Sequence, residues 1–114
     1  MPNADDVCPH RWTQTRVLFD NGYYSAVWGT FEGVDEPARV GCLGVRWNGS
    51  GNRPGYPSQG AYPVWYREPD FMASAVLHAL RKELLQGPKT NQQSEYLRNV
   101  DAVLAEIQNG LALV

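Results

Sequence analysis

The chain has 114 residues, a formal net charge of -2 at pH 7, and hydrophobic and charged fractions of 43% and 19%. This length favours a single domain, residues 1–114, and this composition is typical of a globular protein rather than a disordered one. The net negative charge argues against binding to duplex DNA, which needs a basic face. The sequence contains neither a membrane-spanning apolar run nor a signal peptide pattern, so we expect a soluble, cytoplasmic protein.

Residues 1–12 are polar and contain two prolines, which predicts a loose N-terminal arm. The chain has two cysteines, Cys8 and Cys42, outside any Cys-x-x-Cys pair. We interpret them as two thiols in a reducing compartment, with a Cys8–Cys42 disulfide as the alternative. Cys8-Pro9-His10 lacks partners for a zinc site, because the other histidine, His78, lies inside a helical pattern. The sequence therefore predicts neither a metal site nor a cofactor.

Three strand-like segments follow the arm. The first covers residues 13–20, and Asn21-Gly22 comes next, a pair typical of the type I′ hairpin turn. The second segment, residues 23–32, carries aromatic side chains on both faces. We therefore expect it to be a central strand, or one whose second face meets a partner. The third strand is predicted over residues 38–47.

The third strand leads through a long loop into a fourth strand. Gly41 and Gly44 within the third strand are typical of a bulge or of a close backbone approach. The loop, residues 48–61, holds four glycines and two prolines, and loops of such length tend to be functional or disordered. Its prolines and an aromatic anchor favour an ordered loop. The fourth strand is predicted over residues 61–67, and Pro63 places it at an edge or delays its start.

Two helices complete the chain. Glu68-Pro69-Asp70 predicts a helix start, because proline and acidic side chains suit a first turn, and Gly87-Pro88 predicts the end. Thr90 followed by Gln93 resembles a capping box that begins a second helix. Both helices carry an apolar stripe, so we expect them to lie antiparallel with at least one packed on the sheet. The predicted fold class is α+β: a four-stranded, largely antiparallel sheet followed by two C-terminal helices packed on it.

The sequence carries no recognisable catalytic signature. The loop glycines match neither the G-x-G-x-x-G fingerprint nor a Walker A motif. The loop and its flanks offer aromatic, arginine and amide side chains, which can stack on flat ligands, hold anions or form interface hot spots. The candidates for ligand or partner binding are Arg46, Trp47, Arg53, Tyr56, Gln59, Trp65 and Tyr66. The competing interpretation places both tryptophans in the core and the arginines in solvent.

These residues favour a non-enzymatic binding or interaction module that acts through residues 46–67. We expect a homodimer, mainly because an aromatic edge strand suits self-association. The apolar residues 111–114 either cover the core or meet a second subunit. We expect an unidentified protein or a small ligand as a further partner. The alternative is a small-molecule or nucleotide-binding protein, an enzyme included, whose pocket under the loop would contain Arg46, Trp65 or Tyr66. Single-stranded nucleic acid suits the residue types but not the net charge.

The stretch of residues 43–70 combines Arg46-Trp47-Asn48, Gly55-Tyr56-Pro57, Pro63-Val64-Trp65 and Pro69-Asp70. With these motifs it resembles a group of small uncharacterised bacterial proteins associated with integron gene cassettes and other mobile elements. The resemblance implies a bacterial accessory gene without an established activity. It therefore assigns no catalytic residue to this chain.

Overall fold

A computed structural model describes residues 7, 11–60 and 62–110 of the chain. Their elements are β1 (Trp12–Asp20), β2 (Tyr24–Phe31), β3 (Arg39–Trp47), β4 (Ser58–Gln59), β5 (Tyr62–Pro63), β6 (Tyr66–Arg67), α1 (Asp70–Gln86) and α2 (Asn91–Gln108). The strands β1, β2, β3 and β6 form an antiparallel sheet in that order, while β4 and β5 form a separate hairpin. The predicted α+β class, with a four-stranded sheet and two C-terminal helices packed on it, is confirmed.

The hairpin between β1 and β2 lies where the Asn-Gly pair predicted it, but its turn is not type I′. Gly22 has a positive φ of 91°, whereas Asn21 is not among the residues with positive φ. The Asn21 side chain instead accepts hydrogen bonds from the backbone N–H groups of Tyr23 and Tyr24, both at 2.9 Å. An asparagine side chain thus shapes the turn by bonding the backbone that follows it.

Of the two glycines of β3, Gly41 lies at a bulge as predicted, whereas Gly44 is approached by side chains and not by another backbone. Gly41 has a φ of 81° and lies within the register shift between β2 and β3, which is a bulge. Gly44 packs against a tryptophan ring, because a Cβ built there would lie 3.0 Å from both Trp12 and Val27. A larger residue at Gly44 would therefore displace the indole.

The fourth strand is shorter than predicted, and a single strand over residues 61–67 is wrong. Tyr62–Pro63 pairs with Ser58–Gln59, and only Tyr66–Arg67 joins the sheet, at its edge beside β3. Between β5 and β6, the Trp65 side chain is buried in the core. Ala61 lies outside the described residues. The strand that joins the main sheet, β6, begins after Pro63 and lies at an edge. Both features were predicted, because proline has no N–H to donate to a neighbouring strand.

Each face of the sheet carries its own apolar cluster. The two helices cover one face, here called the helix face, with a cluster formed by Leu18, Phe19, Ala26, Trp28, Leu43, Val45, Ala73, Leu77, Leu80, Leu84, Tyr96, Val100 and Val103. The opposite face carries a smaller cluster formed by Val7, Trp12, Val27, Cys42 and Trp65. Val7 and Trp12, two residues of the predicted loose arm, are therefore packed against the sheet. Residues 1–6 and 8–10 lie outside the described residues.

The helix boundaries follow their sequence signals. The α1 helix begins after Pro69 and ends before Gly87. The α2 helix is capped by Thr90, whose side-chain oxygen accepts a hydrogen bond from the backbone N–H of Gln93 at 3.1 Å. In the described part of the chain, no helix is both long enough and apolar enough to cross a membrane. The apolar tail, residues 111–114, lies outside the described residues.

Replacing Trp12 by alanine should lower the free energy of unfolding by about 3–5 kcal/mol, because its indole fills the cluster on the opposite face. Urea denaturation followed by circular dichroism measures this loss. Phe71→Ala is the control, since Phe71 is 82% exposed and surface changes usually stay within about 0.5 kcal/mol. Equal losses in the two variants would contradict a packed opposite face.

Candidate functional site: an aromatic groove beside the loop

The seven candidate residues separate into two groups by exposure. The exposed ones are Trp47, Arg53, Tyr56, Gln59 and Tyr66, and the buried ones are Arg46 and Trp65. The interpretation that placed both tryptophans in the core therefore holds for one of them only. The interpretation that placed the arginines in solvent likewise holds for the loop arginine and fails for the one in β3.

A groove with a volume of about 320 Å³ lies where β2, β3 and β6 meet the loop. Its lining residues are Tyr24, Val45, Arg46, Trp47, Tyr56, Pro57 and Tyr66. We call it the aromatic groove. Strand register explains its composition, because Tyr24 is paired with Trp47 and Val45 with Tyr66, so that these four side chains share the helix face. Of the seven candidates, Arg53, Gln59 and the buried tryptophan do not line it.

Tyr24 is the aromatic lining residue that the sequence did not indicate as a candidate. Its ring meets that of Trp47 edge to face, with centroids 5.0 Å apart and an interplanar angle of 67°. Burial raises the pKa of Tyr24, and the nearby Glu68 carboxylate raises it further, so the phenol is neutral at pH 7. The β2–β3 register would have revealed this residue, since it faces the exposed tryptophan directly across the strands.

Backbone hydrogen bonds fix Tyr56 at the outer side of β3. The Trp47 N–H donates to the carbonyl oxygen of Tyr56 at 2.8 Å, and the Tyr56 N–H donates back to the carbonyl oxygen of Trp47 at 3.0 Å. The two exposed aromatic residues are therefore neighbours on a hydrogen-bonded frame. The peptide bond between Tyr56 and Pro57 is cis.

Arg46 holds the loop instead of presenting its charge to solvent. Its side chain is 1% exposed and donates through Nη1 to the carbonyl oxygens of Pro57 and Val64 at 2.9 and 2.8 Å, and through Nη2 to that of Pro54. Among the described residues no carboxylate forms an ion pair with it. Burial lowers the pKa of Arg46 from its ordinary value. Three charge-assisted hydrogen bonds thus set the path of the loop.

Asn48, the first loop residue, is a second buried anchor. Its Nδ2 donates to Oδ1 of Asp20 at 3.3 Å, and its Oδ1 accepts from the Ser25 hydroxyl at 2.8 Å. Its backbone N–H donates to the carbonyl oxygen of Tyr23 at 2.7 Å. These bonds tie the start of the loop to the hairpin between β1 and β2.

Gly49 and Gly55 let the loop close on itself. Their φ angles are 83° and 78°, a region that favours glycine. A Cβ on Gly49 would lie 2.5 Å from the Gly55 nitrogen, and a Cβ on Gly55 would overlap the carbonyl oxygen of Trp47. Together with the arginine and asparagine bonds, this close approach supports the expected order of the loop.

Cys42 lies in the opposite-face cluster as the small buried residue that the sequence predicted, and its thiol is free. Burial raises the pKa of the Cys42 thiol, while the nearby Arg67 acts in the other direction. The thiol is therefore protonated at neutral pH and a weak nucleophile. Cys8 and His10 lie outside the described residues, among which no group of three or more potential ligands could hold a metal ion.

Comparison of this chain with protein-family models, with curated proteins and with solved structures finds no match. The fold and the site together define an α+β domain with an exposed aromatic groove. The groove lies beside a loop that a buried arginine holds in place. The bacterial accessory-gene origin that the sequence motifs imply stays a prediction.

Arg46→Met should lower the free energy of unfolding by about 3 kcal/mol, roughly one for each carbonyl oxygen that loses its donor. Urea denaturation measures the loss, and hydrogen exchange of the Tyr56 amide should become faster. Arg53→Met is the matched control, because this loop arginine is exposed and its side chain makes no hydrogen bond within the described residues. If both variants are as stable as the wild type, Arg46 does not hold the loop.

Proposed function

We propose that this protein is a non-enzymatic binding module that acts through residues 46–67, with the aromatic groove at the centre of its binding surface. The supporting observation is that Trp47, Tyr56 and Tyr66 are 60%, 67% and 45% exposed around one groove. Rigid aromatic side chains bury a large area on binding at a small loss of conformational freedom, and they dominate interface hot spots. The bonds of Arg46 and Asn48 hold this surface in place before any partner arrives.

We further propose a cytoplasmic homodimer, encoded by a bacterial accessory gene of the kind the sequence motifs imply. The support for self-association comes from the sheet edge. The edge strand β6 pairs with β3 only at Gly44 and Val45, and it carries the exposed Tyr66. A sheet edge that carries an exposed aromatic ring next to a groove is suited to pairing with a second copy.

A small ligand is a second candidate for the occupant of the aromatic groove. Its volume, about 320 Å³, lies at the lower end of the range of roughly 300–1,000 Å³ for ligand pockets. Tyr66 lines the groove as this alternative requires, but Trp65 does not. Arg46 lines it while its guanidinium is already bonded to the loop, so phosphate recognition by this arginine has no support.

The double variant Trp47→Ala/Tyr56→Ala should lose partner capture, because each hot-spot aromatic is worth about 2 kcal/mol, roughly thirtyfold in affinity. The tagged full chain is incubated with bacterial lysate, and the retained proteins are compared by quantitative mass spectrometry. Phe71→Ala, an exposed aromatic outside the groove, should capture the same partner as the wild type. Undiminished capture by a folded double variant would rule out this surface.

Light scattering behind a size-exclusion column tests self-association separately. We expect a mass near twice 12.8 kDa, the mass of one chain. Tyr66→Ser should shift the mass toward that of one chain, because it removes the aromatic ring from the sheet edge. A wild-type mass equal to one chain at all concentrations would contradict the homodimer and leave the groove proposal unaffected.

A further inference from the structure

The aromatic groove presents ring surfaces from several directions. Tyr24 and Tyr66 come from the two strands that flank β3, Trp47 comes from β3 itself, and Val45 lies between them. Tyr56 adds a ring at the outer side, where it is bonded to β3. The face of an aromatic ring carries partial negative charge, so it attracts a cation more strongly than a neutral group of the same shape.

A carboxylate reinforces this preference for positive charge. Glu68 follows β6, is half-buried, and has its backbone fixed by an N–H bond to the carbonyl oxygen of Leu43 at 2.9 Å. It acts electrostatically on the Tyr24 phenol, which lines the groove. Within the described part of the chain it forms no ion pair. Glu68 does not itself line the groove, but a carboxylate without a cation close enough to act on one of its rings favours a positively charged ligand.

The buried cation of Arg46 does not dominate the groove. Although Arg46 is among the lining residues of the groove, strand alternation directs its side chain toward the face opposite that of Val45 and Trp47. There it donates to three loop carbonyl oxygens, whose partial negative charge surrounds the guanidinium. The Glu68 carboxylate, in contrast, acts on the Tyr24 ring of the groove and has no ion-pair partner among the described residues.

We propose that the aromatic groove binds the alkylated ammonium group of a small organic cation. This inference rests on the small-ligand form of the proposed function, because it names the chemical class of the ligand that the same groove binds. Methyl groups spread the charge of such a group and make it easy to remove from water, which is why sets of aromatic rings bind it. The groove volume of about 320 Å³ suits a compact head group.

The intrinsic fluorescence of Trp47 provides the measurement. The chain has four tryptophans, and the other three, Trp12, Trp28 and Trp65, are at most 9% exposed. Choline is titrated into the full chain beside two compounds of the same shape, neutral dimethylbutanol and anionic dimethylbutyrate, and calorimetry gives each affinity independently. We expect choline to quench Trp47 and to bind about tenfold more tightly than the neutral compound.

Variants then assign the preference to named groups. Glu68→Gln should weaken choline binding about threefold or more and leave the binding of neutral dimethylbutanol unchanged. Tyr66→Leu keeps the apolar area but removes one ring, so it should reduce the preference for charge. Phe71→Ala, with an exposed ring outside the groove, should bind as the wild type does. Circular dichroism verifies that each variant is folded.

Equal binding of choline and dimethylbutanol would overturn the inference, and so would tighter binding of the anion or no binding of any of the three. A peptide containing trimethyl-lysine that binds more tightly than choline would also overturn it, because the source would then be a partner protein. These results would overturn the ligand class alone, and the proposed binding function would stand as long as the Trp47→Ala/Tyr56→Ala variant loses partner capture. Undiminished partner capture by that variant would contradict the proposed binding function itself.

Discussion

The burial of one arginine sets the constraint on which the rest of this structure depends. Removing a guanidinium from water costs several kcal/mol unless its donors are satisfied. Here the two Nη atoms of Arg46 donate to the carbonyl oxygens of Pro54, Pro57 and Val64, which lie outside the strands of the main sheet. The buried Nε has no hydrogen-bond partner among the described residues, so burial depends on these three bonds. The loop must therefore follow one path for Arg46 to be buried. Alternation along β3 then requires the next residue, Trp47, to point to the other face, where it lines the groove.

The groove lies at a border of the main core. Tyr24 packs against the helix-face cluster and also lines the groove, so one ring connects stability to recognition. On the other side of the sheet, Trp65 returns the chain to the core after the loop has passed Arg46. The loop is thus held at its start by Asn48, in its middle by the guanidinium and at its end by an indole. Such a frame keeps exposed aromatic residues at defined positions without a partner.

Local patterns predicted most of the fold, because hairpin pairs, helix caps and apolar stripes act over a few residues. The central position of β2 followed from aromatics on both of its faces. The site was predicted less well, since Trp47 and Trp65 both lie in predicted strand segments but have opposite exposure. Their difference depends on which face the helices cover and on where Arg46 finds its acceptors, up to 18 residues away. The alternation of side chains along a strand assigns each residue to one of two faces, but it does not determine which face meets solvent.

The opposite-face cluster joins Val7 and Trp12, near the start of the chain, to Trp65, beyond its middle. During synthesis on the ribosome, the three-stranded meander of residues 12–47 therefore emerges with this face uncovered. The helix face stays uncovered still longer, until α1 and α2 have left the exit tunnel and can pack on it. Neither side of the meander is complete before most of the chain exists. Residues 12–47 alone therefore leave apolar side chains of both faces in water, and the strands are covered on both sides only once the C-terminal elements have packed on them.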